Sequence, residues 1–409
     1  MVRDSFGVEC FCVGPLSKGH AVQNPNEEQV LMVEVLPIYG SDHVKGLLWV
    51  ARNDIRNFVW KPIRGNIRTE LVLFRCFHDP TFVDVNSGHH MWRKPGWFQH
   101  VDRCISMVLS LRGYSKVSVT QLQNTVKSSV LMVEAVESEK ASMTGARSDT
   151  RFYVKTVEQG SREGLITKQM ASFAGSIVPE VIAVNEGLNS FIQIDAGLKH
   201  YSPNATALLT SLGQLQRMSI PHLGELQKSG MPTYSVQWVI NNVESILKCP
   251  TIRNCVETNK RSLLETISVI KGLCQELHTE GLPSTVVHGD LHLANIASRC
   301  RTPDWNPKYS FIDWGSSFLG HPMMDVRVLL QSLSHEIDFD QDEVLSQYLK
   351  FWNWKMTTVR LNRLLRIAGL CYWIIDLHSI IHNQDGSRSY SVSERVMRLR
   401  LILRRIEGS

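Results

Sequence analysis

The chain has 409 residues, 43% of them hydrophobic and 20% charged, so its length predicts two or three domains and its composition is that of an ordinary globular protein. A formal net charge of +5 is mild for this size and argues against a dedicated nucleic-acid binder, which gathers Lys and Arg into a patch or stripe. The nine cysteines are odd in number and lack C-x-x-C spacing. The first residues carry Arg3, Asp4 and Glu9 without an apolar leader. Together these features predict reduced thiols and a cytoplasmic protein.

In chain order, residues 1–92 read as a small β-rich domain or extension. Its candidate strands are Val30–Leu36, Gly46–Arg52, Asn57–Ile63 and Thr69–Cys76, separated by Pro37, Gly40, Asp54 and Gly65. Cys76, His78, His89, His90 and His100 match no zinc spacing and read as ordinary surface or core residues. Residues 93–200 open with a helix over Trp97–Arg112, whose Trp97, Val101, Ile105 and Val108 share one face and which Gly113 ends. Strands are predicted at Val117–Gln123, Ser129–Val136 and Arg151–Val157, then a helix at Arg162–Phe173 and a strand at Phe191–Ile194. This order builds a small sheet with one helix against it.

Residues 201–409 are mostly helical. The clearest helix is Arg261–Glu280, lined by Leu264, Ile267, Ile270, Cys274 and Leu277 and stopped by Gly281-Leu282-Pro283. Two short strands follow, at Ser284–His288 and Tyr309–Ile312, and about four helices fill the remainder. The apolar run Ile367–Ile375 is too short to cross a bilayer. The acidic residues Glu336, Asp338, Asp340, Asp342 and Glu343 read as a solvated loop capping the next helix. The arginine-rich end has an apolar face of Val392, Val396, Leu399, Leu403 and Ile406 that favours docking on the protein over membrane binding.

The chemistry concentrates in His288-Gly289-Asp290-Leu291-His292, with Asn295 five residues after Asp290, and in Ile312-Asp313-Trp314-Gly315, whose Asp313 stands eighteen residues after Asn295. Phosphoryl transfer needs a carboxylate beside the acceptor hydroxyl, and it needs hard oxygen ligands for a Mg²⁺ that bridges phosphates. Asp290 and Asn295 have the base-to-metal spacing of a kinase catalytic loop. Asp313 stands in an Asp-x-Gly at a strand end, where Gly315 lets the backbone turn behind it.

These motifs resemble those of the aminoglycoside phosphotransferase and choline kinase superfamily. The likeness is closer to the aminoglycoside and general phosphotransferase branch, because choline kinases usually carry Asn where Gly289 stands. The resemblance implies an α+β, bilobal protein-kinase-like fold: a small antiparallel sheet N-lobe (93–200) and a mostly helical C-lobe (201–409), preceded by the β-rich segment 1–92. It implies ATP and Mg²⁺, with Asp290 as catalytic base, Asn295 and Asp313 as metal ligands, and His288 bracing the loop. Gly320-His321-Pro322 with Asp325 resembles the segment whose Asp supports the catalytic loop from below. Phe152-Tyr153-Val154-Lys155 resembles the strand bearing the phosphate-binding Lys, with Glu163 as its candidate ion-pair partner. The phosphate-covering turn at Asn124–Ser129 holds no glycine, so Ser128 and Ser129 are the candidates there, with Lys127 adding charge.

The expected partner is a small-molecule hydroxyl acceptor, with no nucleic acid and no membrane. The glycine-free turn also admits a second reading, a pseudokinase or nucleotide-binding module. A protein kinase is disfavoured because Gly289 stands where that loop carries Arg and no Ala-Pro-Glu follows.

Overall fold

The computed structural model describes residues 10–15, 31–35, 91–93, 97–125, 127–138, 149–197, 203–256, 262–298, 309–382 and 392–407. Of the strands expected before residue 92, the one near Val30–Leu36 is found. Gly46–Arg52, Asn57–Ile63 and Thr69–Cys76 lie outside the described residues. Two compact units emerge: residues 1–161 with 182–193, and residues 162–181 with 194–409.

In the first unit, β1 (Cys10–Pro15) pairs antiparallel with β2 (Leu31–Val35). Helix α1 (Trp97–Leu111) buries Trp97, Phe98, Val101, Ile105 and Leu109. The face therefore runs through Leu109 rather than Val108, as the i, i+4 spacing from Ile105 dictates. Gly113, at φ +78°, supplies the left-handed residue that ends the helix. The main sheet comprises β3 (Tyr114–Asn124), β4 (Ser128–Glu137), β5 (Asp149–Val157), β6 (Val181–Asn185) and β7 (Ser190–Ile194), in the order β3-β4-β5-β7-β6. β3 pairs antiparallel with β4, and β4 with β5. Leu131 opposes Val154 and Val133 opposes Phe152, so these four buried side chains share the core face.

The second unit begins with α2 (Glu163–Ala174), which packs on α3 (Ala205–Ser219) and α4 (Leu223–Lys228). The sequence expectation grouped α2 with the sheet, yet Ile166 and Met170 are buried in the helical core. Next come α5 (Val236–Lys248), α6 (Pro250–Val256) and α7 (Leu263–Thr279). Ser262 caps α7 in a reciprocal box with Glu265, so the helix starts two residues later than its apolar pattern suggested.

Short strands carry the chain through the motif region. β8 (Thr285–Val287) pairs antiparallel with β11 (Phe318–Gly320), and β9 (Ile296–Ser298) with β10 (Tyr309–Phe311). Helices α8 (Met323–Leu333), α9 (Gln341–Phe351), α10 (Thr358–His382) and α11 (Val392–Glu407) complete the unit.

The apolar run 367–375 is the middle of α10, which continues past Asp376 through the core and packs on α5, α7, α8 and α11. Among the described residues no helix is long and apolar enough to cross a membrane. Asp340 caps α9, accepting from the N–H groups of Asp342 and Glu343, the role expected for the acidic loop. Val396, Leu399, Leu403 and Ile406 of α11 are buried against the protein.

Candidate active site

The His288–His292 motif starts where β8 ends. His288 is wholly buried beneath it. Its Nε2–H donates to the Ile312 carbonyl at 2.8 Å, and its Nδ1 accepts from the Asp290 backbone N–H at 3.3 Å. These two bonds select the neutral tautomer, and burial pushes the imidazole pKa down, which keeps it neutral. The ring also packs on buried Trp314, with centroids 4.4 Å apart. His288 thereby ties the Asp290 loop to the strand end that carries Asp313.

Gly289 has φ +76°, and a β-carbon there would stand 2.3 Å from the Ser316 carbonyl oxygen. Only glycine fits this turn. From below, Asp325 at the start of α8 accepts from the N–H groups of His288 at 2.6 Å and Gly289 at 3.1 Å. Burial pushes its carboxyl up to about 7, against the lowering effect of those two donors. From α10, the Tyr372 hydroxyl donates to the Gly289 carbonyl at 2.7 Å.

Asp290 projects from this fixed loop with 53% of its side chain exposed. Burial pushes its carboxyl up. The hydrogen bond and charge of His292 outweigh that and hold the group below the ordinary carboxylate range. Asn295 is buried, and its Nδ2 donates to the Asp290 carbonyl at 2.9 Å. Because the amide nitrogen is spent on that bond, the amide oxygen is turned the other way and is available to a cation.

Asp313 sits at φ +67°, a left-handed conformation held by the buried Trp314 that follows, whose Nε1–H donates to the Phe311 carbonyl at 2.9 Å. A β-carbon on Gly315 would meet Glu163 Oε2 at 3.1 Å and Asp313 Oδ1 at 3.7 Å. Glu163, buried at the first turn of α2, therefore lies against the Asp313 loop. An amide oxygen and a carboxylate form a hard donor set that suits Mg²⁺, which takes few protein ligands and completes its shell with phosphate and water. No group of three or more His, Cys, Asp or Glu side chains forms a metal cage among the described residues.

In the first unit, Lys155 opposes Val130 in the β4–β5 register, on the face away from the Leu131–Val154 core layer. Ser128 shares that face with Lys155. Ser129 alternates to the core face, is fully buried, and its hydroxyl accepts from Gln121 Nε2 at 3.4 Å. The turn before them closes on itself: Thr125 Oγ1 accepts from the N–H groups of Lys127 and Ser128.

Sequence reasoning missed Tyr372, which stands more than eighty residues from the loop it touches and belongs to no motif. It quoted His292 without a role, although that residue sets the charge environment of Asp290.

Residues 256–361 match the phosphotransferase enzyme family, and this segment contains both motifs. Among solved structures, a mutant of aminoglycoside 2′-phosphotransferase IIIa in its GDP complex superposes with a TM-score of 0.51 at 13% identity, covering 75% of this chain and 98% of that one. A choline/ethanolamine kinase family protein from Mesorhizobium loti gives a TM-score of 0.49 at 14% identity, covering 75% and 95%. No curated protein matches the chain in sequence. The fold is thus that of an aminoglycoside phosphotransferase, as the two motifs implied, and the segment from the second half of the chain that builds the site matches the phosphotransferase enzyme family.

Proposed function

We propose that the protein transfers the γ-phosphoryl group of ATP to a hydroxyl of a small molecule, with Asp290 as the base. The observation that carries this reading is the three-sided clamp on residues 288–290, by Asp325 below, Tyr372 beside and His288 within, which leaves the Asp290 carboxylate as the projecting group. Asp290 would orient the acceptor hydroxyl and take its proton as the oxygen attacks the γ-phosphorus and the bond from that phosphorus to the β,γ-bridging oxygen breaks, with ADP leaving. A carboxylate of low pKa suits this task, because in a loose transition state the hydroxyl proton leaves late and positioning outweighs basicity. Asn295 and Asp313 would hold Mg²⁺. Bound there, the cation would neutralise the charge of the phosphates. Lys155, with Ser128 beside it on the same face, would supply positive charge for the phosphates. The expected setting is cytoplasmic.

The test is Mg²⁺-dependent ATP turnover in a screen of hydroxylated metabolites, comparing wild type with Asp290→Asn. Equal activity in the two proteins rejects the assignment.

The closed Thr125–Ser128 turn favours one second reading, a nucleotide-binding module or pseudokinase. Two N–H groups that a phosphate-covering loop would offer are already bonded to Thr125. A melting temperature raised by Mg-ATP, without turnover on any acceptor, would support that reading.

A further inference from the structure

The helical unit carries a second concentration of charge that the catalytic reading leaves unused. On α10 and α11 several arginines are neutralised. Arg360 bonds Glu276 and Glu280, Arg363 bonds Glu276 at 2.8 and 3.0 Å, and Arg395 bonds Asp376. Arg398 lies over the Trp373 ring. Arg327, Arg366 and Arg405 differ. Among the described residues no carboxylate is bonded to any of them.

These three stand together. The stem of Arg327, on α8, crosses α10 at Gly369, where an added β-carbon would lie 3.3 Å from Arg327 Cγ and 3.8 Å from Ile402 Cδ1 of α11. Gly369 is one helical turn from Arg366, and Ile402 one turn from Arg405. Arg366 is held by its Nη1–H, which donates to the Arg405 carbonyl at 2.8 Å. Burial, and then the charges of Arg405 and Arg366, push the pKa of the Arg327 guanidinium down. Three like charges thus share one seam, two of them partly buried, and no carboxylate among the described residues is bonded to any of them.

We infer that the seam between α8, α10 and α11 is an anion site, built by Arg327, Arg366 and Arg405 for a phosphate-bearing ligand. Guanidinium forks pair with phosphate oxygens two at a time, and a dianion matches several neighbouring cations better than a single carboxylate does. Because Arg327 follows Asp325 by two residues on α8, an occupying anion would restrain the same helix that holds the catalytic loop. The inference does not depend on the proposed reaction.

The test is a titration of inorganic phosphate into the full chain against sodium chloride at matched ionic strength, read by thermal shift and calorimetry. Wild type should show a saturable rise in melting temperature. The dissociation constant should weaken about tenfold or more in Arg327→Met and in the more exposed Arg366→Gln, and stay unchanged in Lys155→Met. If Arg327→Met fails to fold, Arg366→Gln carries the comparison. A parallel sedimentation with phosphatidic acid vesicles separates a lipid headgroup from a soluble phosphate. Binding in either arm that is lost in the arginine variants supports the site. No response in either arm, a response equal in wild type and both arginine variants, or one lost only in Lys155→Met overturns it.

Discussion

The carboxylate of Asp325 accepts a hydrogen bond from the backbone N–H of His288 at 2.6 Å, and its other oxygen takes the N–H of Gly289 at 3.1 Å. A buried side chain on one helix thus satisfies two successive backbone donors of a turn that has no ladder partner there. Asp325→Asn turns one acceptor into a donor facing an N–H group. The variant should lose about 2–3 kcal/mol of stability, since a buried donor left unsatisfied costs its desolvation. Urea unfolding measures this, and a loss well under 1 kcal/mol would mean that the loop does not depend on Asp325.

Gly289→Ala tests the turn itself. The new methyl would meet the Ser316 carbonyl at a backbone angle that L-residues rarely adopt, so the loop must move. Activity should fall at least about tenfold, because a misplaced catalytic group loses its alignment with the reacting atoms. Tyr372→Phe removes one hydrogen bond to the same carbonyl and should cost about 1 kcal/mol of stability. Tyr372→Phe as damaging as Gly289→Ala would show that the hydroxyl does more than support the turn.

The candidate site was legible in the sequence to the extent that it lies in contiguous motifs. His288, Asp290, Asn295 and Asp313 could be proposed because a phosphotransfer loop would need its base and metal ligands at fixed spacing. Asp325 follows closely enough to belong to the same pattern. Tyr372 was not legible, since it reaches Gly289 through helix packing that leaves no spacing signal. Ser128 and Ser129 were read as a pair, but strand alternation sends them to opposite faces, and only the β4–β5 register reveals which one accompanies Lys155. The strands at Val181–Asn185, Ile296–Ser298 and Phe318–Gly320 were missed because three to five residues are too few for a period-two pattern to stand out from a buried loop.

The base assignment predicts a particular pH profile. His292 holds the Asp290 carboxyl below its ordinary range, so it is ionised throughout pH 5–8. The kcat/KM for ATP-dependent phosphorylation should therefore show no acid limb from Asp290 above about pH 4, the usual carboxylate range. Asp290→Asn should lower kcat by about 10²- to 10⁴-fold across the whole profile. An acid limb near pH 6 that disappeared in His292→Gln would instead assign the titrating role to His292.

Stability should carry a different signature, set by three buried groups. Burial pushes His321 down to about 3, so it stays neutral in the fold while the unfolded imidazole takes up a proton below about pH 6.5, and burial lowers His288 in the same direction. Their depressed pKa values contribute stability that is present above pH 6.5 and lost on acidification. Asp325 has the opposite sign. Its carboxyl, pushed up to about 7, keeps a proton in the fold that the unfolded chain has released above about pH 4, so its contribution fades as pH rises through that window. Between pH 5 and 6 the proton that His321 refuses and the one that Asp325 keeps about cancel, so a fall in stability on acidification comes from His288, whose shift has the sign of His321. His321→Gln should lower the slope of stability against pH by about 1.4 kcal/mol per pH unit, and Asp325→Asn should raise it by about as much. Denaturant titrations at half-unit intervals measure both. A slope unchanged in His321→Gln would mean that this imidazole takes up its proton inside the folded protein.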